Sequence, residues 1–302
     1  MKDWNIEIRQ DLSPAISRII IAGKWDGDRN KVSSLLEAVS DNWPKDIRTK
    51  FLITCGGFLQ FDWPEAITIT EIGDNWHPKK LTLEKLIEAA SNAIDSVLDH
   101  GLIAKLSNLT DYLTIGIDSH KDRISTIAKH RCQLQVELVC LIDLKSGAKY
   151  WTGKSYPTSK QQNRIVLFSD LESHFMELND FGEIMILGCH DLTMFNNRSL
   201  ANAGETRKVL ETSFRGLVKI KSPVIVLHHP HTTDYIRTWA SAWNELLREA
   251  PHIELYASAG RYDYDKGSPR SPLCDVLNHT KKGNTIDFKV SQVSHPSLAA
   301  ME

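Results

Sequence analysis

Glu183-Ile184-Met185-Ile186-Leu187-Gly188-Cys189-His190-Asp191 is the stretch that decides the fold class. Ile184 to Gly188 is an apolar run long enough for a buried strand, and it delivers a cysteine to the strand end, with two polar residues directly behind. Outward from it, strand and helix patterns alternate in both directions. Downstream come a helix from Glu205, a strand Pro223 to Leu227, a helix Tyr235 to Arg248 and a strand Ile253 to Ala259. A short β tail is expected around Leu273 to Val276 and Thr285 to Val290. Upstream, Gln135 to Asp143 and Lys149-Tyr150-Trp151 flank the turn Lys145-Ser146-Gly147 and read as a hairpin running into Gly153-Lys154.

The N-terminal half repeats the alternation. Arg18 to Gly23 reads as a strand, and Gly27-Asp28-Arg29-Asn30 turns into a helix, Lys31 to Val39, with Val32, Leu35, Leu36 and Val39 on one face. Lys50 to Cys55 is the next strand and stops at Gly56-Gly57. A long amphipathic helix, about Thr82 to His100, precedes the strand Asp111 to Asp118. Strands alternating with helices, with antiparallel pairing from the hairpin, indicate a layered α/β architecture. No repeat or composition shift divides the chain, so one domain over residues 1–302 is expected, its core about 15–290.

Bulk composition removes several classes of function. At 41% hydrophobic and 25% charged residues, the chain can bury a sizeable core. A net charge of −2 supplies no basic field for nucleic acid or an anionic membrane surface. Met1 to Asn5 carries an acid with no apolar run behind it, unlike a signal peptide. No stretch reaches the roughly 18 apolar residues of a bilayer span. The five cysteines are scattered without a C-x-x-C pair, which points to reduced thiols and a cytoplasmic setting.

Two residues stand out chemically. In open α/β sheets ligands bind beyond the carboxyl ends of strands, which is where Cys189 lies. A nearby cation would favour its thiolate, the nucleophilic form. Lys154, behind a glycine and among aromatics, is placed to supply that cation or to hold an oxyanion. His228-His229-Pro230-His231 also follows a strand and has the look of metal ligands, with Asp118 and His120 as supplements, though the spacing departs from that of common dinuclear sites.

Taken in order, these segments resemble the nitrilase (carbon–nitrogen hydrolase) superfamily. The carriers are the opening strand with Gly27-Asp28-Arg29-Asn30, the hairpin Gln135 to Pro157 with Lys154, the elbow Ile186 to Leu192 with Arg198, and Val224 to His229 with Trp239. The resemblance implies a layered αββα sandwich. It implies hydrolysis of a non-peptide C–N bond, an amide or nitrile, through a thioester on Cys189 with Lys154 holding the developing anion. It also implies a small-molecule substrate, no cofactor or resident metal, and homo-oligomers.

One element of that pattern is missing. The family carries a glutamate at the end of the second strand as general base; the matching stretch here, Ile53 to Leu59, has Gly57 and no carboxylate. The loop is expected to carry Asp62 or Glu65 back into the site, and Glu65 is taken as the third catalytic residue. His190 is a second candidate base if the elbow turns it inward; Asp191 reads as a structural cap or a partner of Arg198. His190, Glu172, His229 and His231 are expected to line the substrate pocket. Two other readings stay open: a catalytically degenerate member that binds a ligand or protein, and a metal-dependent hydrolase using His228 to His231.

Overall fold

The computed structural model describes residues 4–67, 80–120, 135–157, 165–197, 204–233, 236–262 and 271–293. Two sheets form its centre. The larger runs β1 (Trp4–Gln10), β14 (Thr285–Gln292), β2 (Ile16–Ile21), β3 (Thr49–Ile53), β5 (Thr110–Ser119), β6 (Gln135–Asp143), β7 (Lys149–Gly153), with β4 (Leu59–Phe61) on β5 and β8 (Ile165–Val166) on β6. The smaller runs β13 (Lys281–Lys282), β12 (Leu255–Ser258), β11 (Ile225–His228), β10 (Gly182–Leu187), β9 (Phe175–Leu178).

The sheets pack face to face, and strand alternation sorts the side chains. Ile16, Ile20, Phe51, Ile53, Val139 and Leu141 of the large sheet meet Ile184, Ile186, Ile225, Leu227 and Ala257 of the small one. The opposite faces are covered by helices. Ile19, Ile21, Leu52, Ile115 and Leu138 pack under α1 (Arg29–Asp41), α2 (Lys80–Val97) and α3 (His100–Ser107). Met185, Leu187 and Val226 pack under α4 (Glu205–Lys221) and α5 (Ile236–Glu249). This is the layered αββα arrangement that the resemblance implies: the central strands are apolar on both faces because each face has a partner layer. Among the described residues no helix is long and apolar enough to cross a membrane.

Local chemistry explains where expectation and structure agree or part. Asp28 caps α1, its carboxylate accepting from the backbone N–H groups of Asn30 and Lys31. The expected helix 82–100 is α2, which ends at Val97; Asp99 then accepts from Leu102 N (2.8 Å) and starts α3. The expected strand Leu273 to Val276 is helix α6 (Leu273–His279): the Pro272 carbonyl accepts from Asp275 and Val276, which commits the segment to a helical turn. Edge strand β1 was not anticipated. It pairs antiparallel with β14, and it alternates Trp4, Ile6 and Ile8 with Asn5, Glu7 and Arg9, so that Trp4 and Ile6 pack on the core while the other face meets water.

Candidate active site

Three adjacent strands bring a row of charges to one end of the inter-sheet face. On β5, Leu113, Ile115 and Ile117 face the helices, so Asp118 faces the other sheet; on β6, Val136 and Leu138 do the same for Glu137. Asp118 and Glu137 are direct cross-strand partners. Lys154, just past β7, continues the row, its backbone N–H donating to the Glu137 carbonyl (2.9 Å). Its Nζ donates to Glu137 Oε2 (2.8 Å) in a fully buried ion pair. Burial works against the Lys154 charge, but Glu137, then Cys189, outweigh it and hold the ammonium above its usual range.

Cys189 and His231 come from the facing sheet, beyond the ends of β10 and β11. Cys189 is 7% exposed, and its sulfur accepts from the His231 backbone N–H (3.4 Å). The His231 ring bridges the two carboxylates, which would otherwise repel each other across the strand pair. Nε2–H donates to Asp118 Oδ2 (2.7 Å), and Nδ1 lies 3.9 Å from Glu137 Oε2. Burial opposes a charge on this ring, yet Asp118, then Cys189 and Glu137, raise its pKa well above the usual value. The imidazolium is therefore the form this setting favours.

Two further residues hold the elbow rigid. Asp191 is buried in the 3-10 turn Asp191–Phe195. Its carboxylate accepts from Ser155 N (3.1 Å), Tyr156 N (2.8 Å) and Gly188 N (2.9 Å), tying the Lys154 segment to the cysteine elbow. The cap expected at Asp191 is thus present; Arg198 lies outside the described residues. His228 points the other way, toward Trp239 and Trp243. Its Nε2–H donates to the Cys189 carbonyl (3.0 Å) and its Nδ1 meets Ser258 Oγ (2.9 Å). Burial pushes its pKa down to about 3, so it serves as a neutral strut.

The end of β3 explains the missing glutamate. Gly57 has φ +62°, and a Cβ built on it would sit 2.9 Å from Asp118 Oδ2 and 3.4 Å from His231 Cδ2. The Asp118 carboxylate and the His231 ring occupy the space a side chain at 57 would need. Gly116 completes the fit: a Cβ there would lie 2.2 Å from the Cys55 carbonyl oxygen, so only glycine lets this turn approach β5.

Of the residues expected from sequence, Cys189, Lys154 and His231 converge, while Glu65 and Glu172 do not. Glu65 is exposed in the turn after β4, and Asp62 is exposed beside His120, because the loop runs outward. Glu172 is exposed and pairs with Lys221 (3.4 Å). His229 is fully buried, its Nδ1 2.7 Å from the Thr54 carbonyl; it joins the two sheets and has no contact with the charged row. Burial holds it at about 4. His190 is half-buried against Trp239, and burial, then the Lys154 charge, lower it to about 4; it borders the site as a neutral ring and a weak base.

Glu137 was missed. Its signal was a lone carboxylate inside an apolar strand run, Val136 to Ile142, where burial of a charge demands a partner. Glu137, Cys189 and His231 each bring a donor atom within 4.8 Å of the others, the set of metal-ligating types that comes this close among the described residues. The Lys154 ammonium already supplies the countercharge on Glu137 that a dication would supply. The set is better suited to moving protons, and the alternative reading of His228 to His231 as a metal cluster lacks a converging ligand set, because His228 and His229 point elsewhere.

No protein-family model matches the sequence, and no curated protein sequence matches it. Solved structures do. An amidase from Nesterenkonia sp. AN1, solved with acrylamide added to its active-site cysteine, is 11% identical, with 81% of this chain and 78% of that chain covered and a TM-score of 0.42. A carbon–nitrogen hydrolase from Helicobacter pylori G27 is 10% identical over 89% and 81%, with a TM-score of 0.42. The NitFhit protein of C. elegans is 11% identical over 88% of this chain and 54% of that one, at 0.44.

Proposed function

We propose that this protein hydrolyses a non-peptide C–N bond, an amide or a nitrile, through a thioester on Cys189. The observation that carries the reading is the buried Lys154–Glu137 pair set against the Cys189 sulfur at the mouth between two sheets. A buried ammonium fixed by a carboxylate is organised in advance to meet the negative charge that develops on a carbonyl oxygen. Cys189 adds to the carbon, Lys154 holds the oxygen, and Glu137 holds Lys154 in place. The amine leaves, and water releases the acid from the thioester. His190 and Trp239 form part of the wall a small substrate would meet. A thiol in this role needs a reducing compartment, which fits the cytoplasm.

The second reading, a degenerate member that binds without turnover, is favoured by the absence of a carboxylate at Gly57. One experiment separates them. Incubation with a panel of small aliphatic amides and nitriles should give ammonia or amine and an acyl adduct on Cys189 visible by mass spectrometry. Cys189→Ala should lower turnover by at least about 10³-fold, as removal of a nucleophile does. No adduct on Cys189 with any amide or nitrile would leave the binding reading.

A further inference from the structure

We infer that His231, oriented by Asp118, is the proton-transfer residue for Cys189, so that a Cys–His–Asp relay has taken over the work of the absent strand-end carboxylate. This rests on the hydrolase reading above. The geometry has three parts. The sulfur, a His231 ring nitrogen and a Glu137 oxygen lie within 4.8 Å of one another, and the His231 backbone N–H already points at the sulfur (3.4 Å). Nε2–H is committed to Asp118 Oδ2 (2.7 Å), which fixes the ring and leaves Nδ1 facing the cluster. Asp118 and His231 fill the space that a side chain at Gly57 would need, so this relay and a glutamate at 57 exclude each other.

The groups facing His231 come from every neighbouring element: Asp118 from β5, Glu137 from β6, Lys154 beyond β7, Cys189 and His190 beyond β10, Cys55 beyond β3, and Arg261, whose Nε donates to the His231 carbonyl (3.0 Å). Asp118, Glu137 and the sulfur favour an imidazolium, which is also the form that can give up a proton. Glu137 remains engaged with Lys154 and is better placed as its anchor than as a base.

The proton then travels as follows. Nδ1 holds the proton that has left the thiol, so the pair starts as thiolate and imidazolium, and the thiolate attacks the amide carbon; a C–S bond forms and the carbonyl π pair moves to oxygen, against Lys154. On collapse the C–N bond breaks and the Nδ1 proton goes to the departing nitrogen. Neutral Nδ1 next accepts a proton from water as the water oxygen attacks the thioester carbon. The C–S bond breaks and the proton returns to sulfur. One water is consumed; one acid and one amine are formed.

Alkylation of the free protein tests this without any substrate. Iodoacetamide at pH 6 should modify Cys189 at least about tenfold faster than the exposed Cys274 on the same chain. His231→Gln should abolish that excess. Asp118→Asn, which keeps side-chain size but no longer favours the imidazolium, should move the excess to higher pH, which a purely structural role would not do. An excess that survives His231→Gln, or that is lost in Glu137→Gln and kept in His231→Gln, overturns the relay. Amide turnover with no dependence of Cys189 reactivity on His231 fails this inference and leaves the hydrolase reading standing. Loss of the excess in His231→Gln, in a protein that acylates with no amide or nitrile, fails the hydrolase reading alone.

Discussion

Cys55 and Cys189 occupy matching places in facing sheets. Each stands two residues past the carboxyl end of a parallel strand, β3 and β10, and each is buried. Their surroundings differ completely. Cys55 faces the apolar layer under the helices, among residues such as Phe58, Leu59 and Ile115, and burial pushes its thiol up to about 12. Cys189 faces Lys154, Glu137 and His231. The strand-end position is common to both, and the face of the sheet decides which thiol can react. At Cys55 burial outweighs the Arg261 and His231 charges and disfavours the thiolate, whereas burial directly beside a cation can preserve one.

The largest effect on this contrast should come from Lys154→Met. It removes the cation beside Cys189 while nearly keeping side-chain volume, and turnover should fall about 10²–10³-fold in kcat, the usual cost of one oxyanion donor. Breaking a buried ion pair by removing one partner also costs about 3–5 kcal/mol. Denaturant unfolding of the same variant should register that loss, and a kcat within a fewfold of the parent would show that Lys154 does not separate the two cysteines.

Next in size is Gly57→Glu, which places a carboxylate at the end of β3. It should not help. Left-handed backbone costs a side chain about 1–2 kcal/mol, and here the Cβ meets the Asp118 carboxylate, so a lower Tm and reduced turnover are expected. A stable variant with higher activity would mean that the turn after β3 can reopen to a conventional site. The smallest effect belongs to Cys55→Ala. Turnover should stay within about twofold, and stability should fall by about 1 kcal/mol, the middle of the range for a single substitution. A large loss of turnover would end the distinction between the two thiols.

The two halves of the site were unequally visible in the sequence. Cys189 and Lys154 were legible because each follows a local pattern, an apolar run ending in a cysteine and a hairpin ending in a lysine. Asp118 was visible only as a carboxylate at a strand end, read as a supplement to a metal site. Glu137 stayed hidden because its neighbours read as core, and the alternation that aims it at Lys154 gains meaning only once β5, β6 and β7 are known to be neighbours. Glu65 and Glu172 were sought in loops, and those loops run outward. His228 and His229 looked like ligands in a row, but adjacent strand residues face opposite ways, one toward the tryptophans and the other into the sheet interface.

The sequence by itself determined the alternation of strands and helices that calls for a layered α/β fold, the helix start at Asp28 and the cysteine at the end of β10. These follow from periodicity and caps, which act over a few residues. Only the tertiary structure brought His231 to Asp118. His231 and Asp118 are 113 positions apart and belong to different sheets, and no local pattern reports which strand ends will face each other. Their meeting, and the glycine at 57 that makes room for it, is a property of how the two sheets stack.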